Sequence, residues 1–247
     1  MRVARGIVTE WFLRALFRVR RTPLHPQWLV YRKEIWGLTH ISLHARGAVL
    51  DIGCADQSVR SYLVGDCRYI GLDYYATAVH WYRTRPSVYG TAMELPFADE
   101  TFDTVLSIDV AEHLPDPERS VREIRRVLRS GGKLILQVPF IYPLHDAPLD
   151  FLRLTEFGVR EFARKCGMAV EEEHLLGSGV ETAGMLVNVA LSRALIDWIE
   201  RRHPAVMIGW LIPPFVCLIN LLSRLLAAAL PANRLMPRGY RVVLCKA

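Results

Sequence analysis

Cysteine is sparse and unpatterned in this chain. Cys54, Cys67, Cys166, Cys217 and Cys245 are odd in number, include no CxxC and have no metal-ligand spacing near them. That pattern suits a reducing cytoplasm, with neither disulfides nor zinc and no metal site expected. Surplus charge is also missing outside the amino-terminal arm. Residues 1–34 carry Arg2, Arg5, Arg14, Arg18, Arg20, Arg21, Arg32 and Lys33 against Glu10 and Glu34, which accounts for the whole formal charge of +6. The body is neutral on balance and shows no interleaving of aromatic and basic residues, so nucleic acid is not an expected partner. A basic arm on a neutral body points instead to a polyanionic surface touched by the arm alone.

The arm has no uninterrupted apolar run either, because Arg14 and Arg18 break it, which argues against a signal peptide. Residues 3–19 fit a helix with Ala4, Ile7, Val8, Trp11, Phe12, Ala15 and Val19 on one face. Two readings stand side by side: a helix lying on anionic lipid, or one packed on a sheet with a solvated basic side. Residues 22–47, with Pro23, Pro26 and Gly37, read as a connection whose Trp28, Tyr31 and Trp36 pack onto the following domain or cover its ligand.

What the chain does have is alternation, and 247 residues at 51% apolar content allow one α/β domain with an appendage. Strands are predicted near 48–53, 69–73, 87–91, 104–110 and 133–139, with helices near 58–64, 75–82 and 117–129. The last helix follows Pro115-Asp116-Pro117, gathers Val121, Ile124, Val127 and Leu128 on one side, and is expected to stop at Gly131-Gly132. Such alternation implies a parallel sheet with right-handed crossovers.

The chemistry concentrates in VLDIGCADQSVRSYL (49–63) and YIGLD (69–73), two strands each ending in an acid. The GxGxxG glycine positions of a dinucleotide turn are filled here by Gly53, Ala55 and Ser58, and Asp51 stands at the strand tip. A carboxylate there repels a pyrophosphate and attracts a cofactor bearing positive charge. S-adenosylmethionine has such charge on its sulfonium and α-amino groups, and Asp73 is placed to accept from its ribose hydroxyls.

VLDIGCADQ, together with GTAMELPFADETFDTVLSIDVAEHLPDPERSVREIRRVLRSGGKLILQVPF, resembles the class I S-adenosylmethionine-dependent methyltransferases over residues 48–176. The resemblance implies a Rossmann-like, seven-stranded, mostly parallel sheet with an antiparallel last strand. It also implies a cofactor site in which Asp51, Gly53, Cys54 and Ala55 line the methionine end and Asp73 holds the ribose. Tyr74, Ala92 and Met93 would flank the adenine, with Asp109 and Val110 beneath the methionine portion. The chain departs from the family's DxGxGxG at Ala55 and Gln57, and from its common acid at Thr91; the methyl of Ala55 is expected to fit a loop of negative φ.

Methyl transfer is an in-line displacement dominated by proximity, and a base is needed only for an acceptor that must lose a proton, such as an alcohol. Candidates are Glu112 and His113 after the fourth strand and the run IYPLHDAPLDFLRLT (141–155) after the fifth. His145 or Asp146 is the first choice of base, with Asp150 and Arg153 orienting the substrate. The structural alternatives are a local Asp150–Arg153 ion pair, Thr155 as a helix cap, and Glu112-His113 as a lock on its loop. YPLHDAPLDFLRLTEFG also resembles a segment of methyltransferases of bacterial cell-surface glycan synthesis, which implies a sugar hydroxyl or lipid-linked glycan as acceptor.

MAVEEEHLL (168–176) and GYRVVLCKA (239–247) read as the sixth and seventh strands. The expected organisation is therefore a basic helix and linker at 1–47, a cofactor-binding core at 48–176, an apolar helical insertion at 177–238 and a returning strand. Residues 205–223 carry no charge, and Pro213-Pro214 would interrupt a helix there. A hairpin dipping into one leaflet, a cap or homodimer interface, and a true span all remain open for residues 205–230. Taken together, the residues predict O-methylation of a glycan or lipid-linked sugar by a cytoplasmic protein peripheral to the inner membrane. C-methylation of a quinone- or sterol-like molecule and a non-catalytic cofactor-binding scaffold are the alternatives.

Overall fold

A computed structural model describes residues 14–32, 34–231 and 233–247. Of the predicted helix at 3–19, residues 14–18 are helical and residues 3–13 lie outside the described residues. The chain divides into two compact units: residues 35–176 with 239–247, and residues 1–34 with 177–238.

The first unit is a seven-stranded sheet: β1 (Ala48–Ile52), β2 (Arg68–Asp73), β3 (Val88–Tyr89), β4 (Phe102–Ile108), β5 (Leu128–Pro139), β6 (Met168–Leu176) and β7 (Gly239–Lys246). Their order is β3-β2-β1-β4-β5-β7-β6, and β7 runs antiparallel to both neighbours while the other pairs are parallel. Parallel strands are covered on both faces, so they read as unbroken apolar runs, and every residue of β1 is buried. Leu50, Ile52, Val105, Leu134 and Leu136 form the centre of the core with Val121, Ile124 and Val127 of the helix Pro117–Val127.

Several elements differ from expectation for local reasons. Part of the 22–47 connection is a helix, α1 (Glu34–His44), because Ile41 and Ala45 just past it are buried against Val49, Leu106 and Ile135. Trp28 lies in a single helical turn of the other unit, where its indole N–H donates to Arg21 O at 3.1 Å, so it packs there and not on the sheet. The helix α2 (Pro117–Val127) ends two residues before 129, and Leu128 is already extended and paired with Phe102 in β4. The Gly131-Gly132 pair therefore serves a bulge within β5: Gly131 has φ +73°, and a Cβ on Gly132 would meet Arg129 O at 2.8 Å. The start of α2 is as predicted, with Asp116 capping Arg119 N–H at 2.9 Å ahead of Pro117. The predicted helices near 58–64 and 75–82 are a 3₁₀ turn at Ser58–Tyr62 and a π-wound turn at Thr77–Tyr82. A further helix, α3 (Glu156–Lys165), is capped by Thr155, as its spacing suggested.

In the second unit α4 (Gly179–Glu200) and α5 (Ile212–Ala229) pack together, joined by a 3₁₀ segment, Pro204–Leu211. They approach so closely at Gly184 that an added Cβ would lie 2.1 Å from Ser223 Oγ. Beside this contact the buried Asn188 donates to Asn220 Oδ1 at 2.9 Å, and Asn220 donates onward to Pro23 O at 2.7 Å and His25 O at 3.0 Å. Asn220→Ala leaves those acceptors and the Asn188 amide short of partners in a buried place. We expect it to cost about 1–3 kcal/mol of stability in denaturant unfolding. Pro213 and Pro214 sit in the first turn of α5, where a missing N–H is harmless, so the charge-free stretch changes helix type there. Met207, Trp210, Phe215, Leu221 and Leu225 are exposed along it.

Candidate active site

The carboxyl ends of β1 and β2 bring Asp51 and Asp73 together, both buried, around the turn that follows β1. Gly53, Ala55 and Gln57 all have positive φ, at +67°, +45° and +58°. Ala55 therefore does not sit at negative φ as anticipated; the loop keeps its glycine-type path without its glycines. Tertiary hydrogen bonds impose that path: Ala55 N–H donates to Asp73 Oδ2 at 2.9 Å, Thr84 Oγ1 to Ala55 O at 2.8 Å, and Gln57 Nε2 to Arg85 O at 2.9 Å. A Cβ on Gly53 would meet Val110 Cγ2 at 2.5 Å, so this position has no room for a side chain. The left-handed region costs a non-glycine residue about 1 kcal/mol or more. Ala55→Gly is accordingly expected to stabilise the protein by up to about 1 kcal/mol, offset partly by the freer unfolded chain, as thermal unfolding would register.

Asp51 accepts one hydrogen bond from the Tyr69 hydroxyl at 2.7 Å. Burial pushes its carboxyl up to about 7, against the pull of the Tyr69 bond and with a further push from Asp73 and Asp56. A buried acid so poorly compensated is suited to a cationic ligand group, which would restore its ionised form. Cys54 beside it is held as a thiol, pushed up to about 12 by burial and by the charges of Asp51 and Asp73. Asp73 also accepts from Thr77 Oγ1 at 2.5 Å, and its two oxygens keep further lone pairs. Tyr74 is exposed, Ala92 is buried, and Met93 is partly buried.

Asp109 and Val110 lie just past the end of β4, not within it, because Asp109 turns into the left-handed region at φ +54°. Its carboxylate accepts from Gln137 Nε2 at 2.7 Å. The short 3₁₀ turn Ala111–His113 follows and buries Glu112, whose oxygens have no hydrogen-bond partner among the described residues. The Nε2 atoms of His113 and His145 each stand 3.8 Å from Glu112 Oε1, and the two rings meet edge to face at 4.8 Å. Burial raises the Glu112 carboxyl, opposed by His145; in return Glu112 raises the His145 imidazole, opposed by partial burial and supported by Asp150.

Two acceptors, Asp150 Oδ2 and Pro143 O, each 3.2 Å away, face His145 Nδ1 more closely than the one donor there, Arg153 Nη2 at 3.4 Å. The closer acceptors favour a proton on Nδ1, the tautomer that leaves a lone pair on Nε2. His113 is fixed the same way through Nδ1 and Leu149 O. Asp150 and Arg153 are bonded to each other in fork geometry, at 2.5 and 2.7 Å, which holds the Asp150 carboxyl down at about 2. Arg153 also donates to Pro143 O at 3.2 Å, so the pair shapes the 143–153 loop directly. Asp146 is exposed at φ +48°, with no hydrogen bond to the Glu112, His113 and His145 group. The structure thus gathers Glu112, His113, His145 and Asp150 and leaves Asp146 to one side.

Sequence reasoning missed Tyr69, Thr77 and Gln137. A signal for Tyr69 lies in Gly71, two residues on: a Cβ there would stand 3.1 Å from the Tyr69 hydroxyl and 2.9 Å from Cys54 Sγ. The missing side chain makes the gap through which Tyr69 reaches Asp51.

Residues 50–136 match a family described as a methyltransferase domain. A Mycolicibacterium smegmatis protein described as a probable S-adenosylmethionine-dependent methyltransferase is 32% identical over 174 residues, 62% of this chain and 67% of that protein. A fatty-acid O-methyltransferase of the same organism is 28% identical over 172 residues, 64% of this chain and 60% of its own length. The chain spans between about half and two thirds of the length of the first curated relatives it matches. Among solved structures, an S-adenosylmethionine-dependent methyltransferase from Thermotoga maritima superposes with a TM-score of 0.55 at 17% identity, over 97% of this chain and 99% of that one, which shows a shared fold.

Proposed function

Because this chain belongs to the S-adenosylmethionine-dependent methyltransferases, we propose that it methylates a hydroxyl oxygen of a glycan or lipid-linked sugar at a membrane surface. The observation that carries the methyl-transfer reading is the pair of buried carboxylates, Asp51 and Asp73, flanking a turn of positive φ. Bound S-adenosylmethionine supplies an electrophilic methyl group on a sulfonium. Asp51 ionises opposite its positive charge, and the spare lone pairs of Asp73 receive the ribose hydroxyls. Gly53, Cys54 and Ala55 offer a close backbone, Tyr74, Ala92 and Met93 border the adenine, and Asp109 and Val110 underlie the methionine end. His145 Nε2 takes the acceptor proton, Asp150 keeps the ring in the right tautomer, and Glu112 stabilises the imidazolium. His113 shares that proton, while Arg153 holds Asp150.

The oxygen acceptor is favoured by this base constellation, since an activated carbon needs none. Membrane residence is favoured by the exposed apolar residues of Pro204–Ala229, within which an 18-residue stretch has a mean hydropathy of 2.1 and is 17% buried. The basic residues of 1–34 would add attraction to anionic lipid. Each apolar side chain withdrawn from water is worth about 1.5–3 kcal/mol, so Trp210→Ser with Leu225→Ser is expected to lower co-flotation with anionic phospholipid vesicles by about tenfold or more. A wild type that stays wholly off vesicles and elutes as a dimer assigns the face to self-association. For the activity, isotope-labelled cofactor is incubated with the protein and a bacterial lipid and glycan extract, and mass spectrometry finds the labelled methyl. Folded protein that fails to bind S-adenosylmethionine saturably rules the reading out.

A further inference from the structure

A second cluster of titratable side chains lies away from the strand tips, where α1 meets β6. His40 and His44 are one turn apart on the same face of α1. Glu172 and His174 are two apart on β6 and share one face of the sheet. The three histidines converge on a single atom of the glutamate: Glu172 Oε2 lies 3.1 Å from His174 Nε2, 3.4 Å from His44 Nε2 and 3.9 Å from His40 Nε2. The ring of His40 packs at 4.9 Å from that of His44 and 4.1 Å from that of His174.

The plain alternative is that the imidazoles simply hydrogen bond to Glu172. Only His174 makes such a bond, at 3.1 Å; the approaches of His44 and His40 at 3.4 and 3.9 Å are too long to be hydrogen bonds to that oxygen. A divalent metal explains the convergence better. Zinc binds imidazole nitrogen and carboxylate oxygen at about 2.0–2.2 Å, which puts neighbouring tetrahedral donors about 3.3 Å apart. The donor atoms of His40, His44 and Glu172 already lie within 4.8 Å of one another, so small rotamer adjustments close the site. Arg241, a cation near His40, donates to Gln137 Oε1 and Gly37 O.

We propose that His40, His44 and Glu172 form a transition-metal site of the zinc type that clips α1 to the β6 edge, with His174 positioning Glu172 and water completing the coordination. Mixed imidazole and carboxylate donors favour Zn²⁺, Co²⁺, Ni²⁺ or Cu²⁺ over Ca²⁺ or Mg²⁺.

The test is calorimetric titration of metal-stripped full-length protein with Zn²⁺, followed by thermal unfolding and by the visible absorption of bound Co²⁺. We expect one ion per chain at this site, a higher unfolding temperature with zinc, and tetrahedral-type cobalt bands. His44→Ala and Glu172→Gln should each weaken binding by more than the about 10–100-fold that loss of an outer partner costs, and His174→Ala by about tenfold. His113→Ala, at the other histidine cluster, should leave the affinity unchanged. Wild-type protein without saturable zinc uptake, undiminished affinity in His44→Ala and Glu172→Gln, or loss of binding in His113→Ala would each overturn the assignment.

Discussion

Asp51→Asn is expected to weaken S-adenosylmethionine binding by at least about 30-fold while leaving the unliganded protein as stable as the wild type, or more so, at pH 8. Removing one member of a buried charge pair costs about 2 kcal/mol or more, and each 1.4 kcal/mol is a factor of ten. Stability moves the other way because Asp51 is an uncomfortable residue in the empty protein. Its folded value of about 7 lies well above the ordinary 3.8, so the folded state holds this proton more tightly than the unfolded chain. That contribution is fully present below about pH 4 and is lost as pH rises through 7. Asparagine keeps the shape and an acceptor for Tyr69 but removes the titration. The same proton competes with the cofactor. Wild-type affinity should fall about tenfold from pH 8 to pH 6, and the variant should be flat over that range. Isothermal titration at the two pH values checks both statements. Parallel loss of binding and of stability would make Asp51 a structural residue.

His145→Ala is expected to lower kcat by about 10²–10⁴, with little change in KM, if the acceptor is an alcohol. The wild-type rate should fall on the acid side with a midpoint above the ordinary imidazole value of 6.5, since Glu112 and Asp150 favour the imidazolium. Glu112→Gln should move that midpoint downward. Asp146→Asn, exposed and outside the cluster, should change kcat by less than about tenfold. Steady-state rates over a pH series for the four proteins decide it. A rate indifferent to His145→Ala would turn attention to an already activated carbon acceptor.

Much of this arrangement could be read in advance, and the portions that could not share a cause. Asp51 and Asp73 stood out because apolar runs ended in acids at a fixed interval, and Thr155 because a cap needs only its own turn. The local reading of Asp150 and Arg153 was also available, since partners three residues apart find each other without help from the fold. Ala55 departs from alanine's own preference for negative φ. Its observed φ of +45° is set by Asp73 and Thr84, which are distant in sequence. The meeting of Glu112 with His145 depends on how two loops leave β4 and β5, and no periodicity encodes it. The Gly131-Gly132 pair follows the pattern of helix punctuation, yet the pairing of Leu128 with Phe102 places it inside a strand. In each case a tertiary contact overrode a local rule.

The strand order carries a consequence for how the molecule is made. β7 separates β5 from β6, and β6 has no other strand beside it among the described residues. A ribosome releases β6 first, then all of residues 177–238, and only afterwards the strand to which β6 is zipped. During that interval the free edge of β5 and the whole of β6 are exposed together. Slowing translation just before residue 239 should lengthen this vulnerable window, and chaperone occupancy of the nascent chain should peak there.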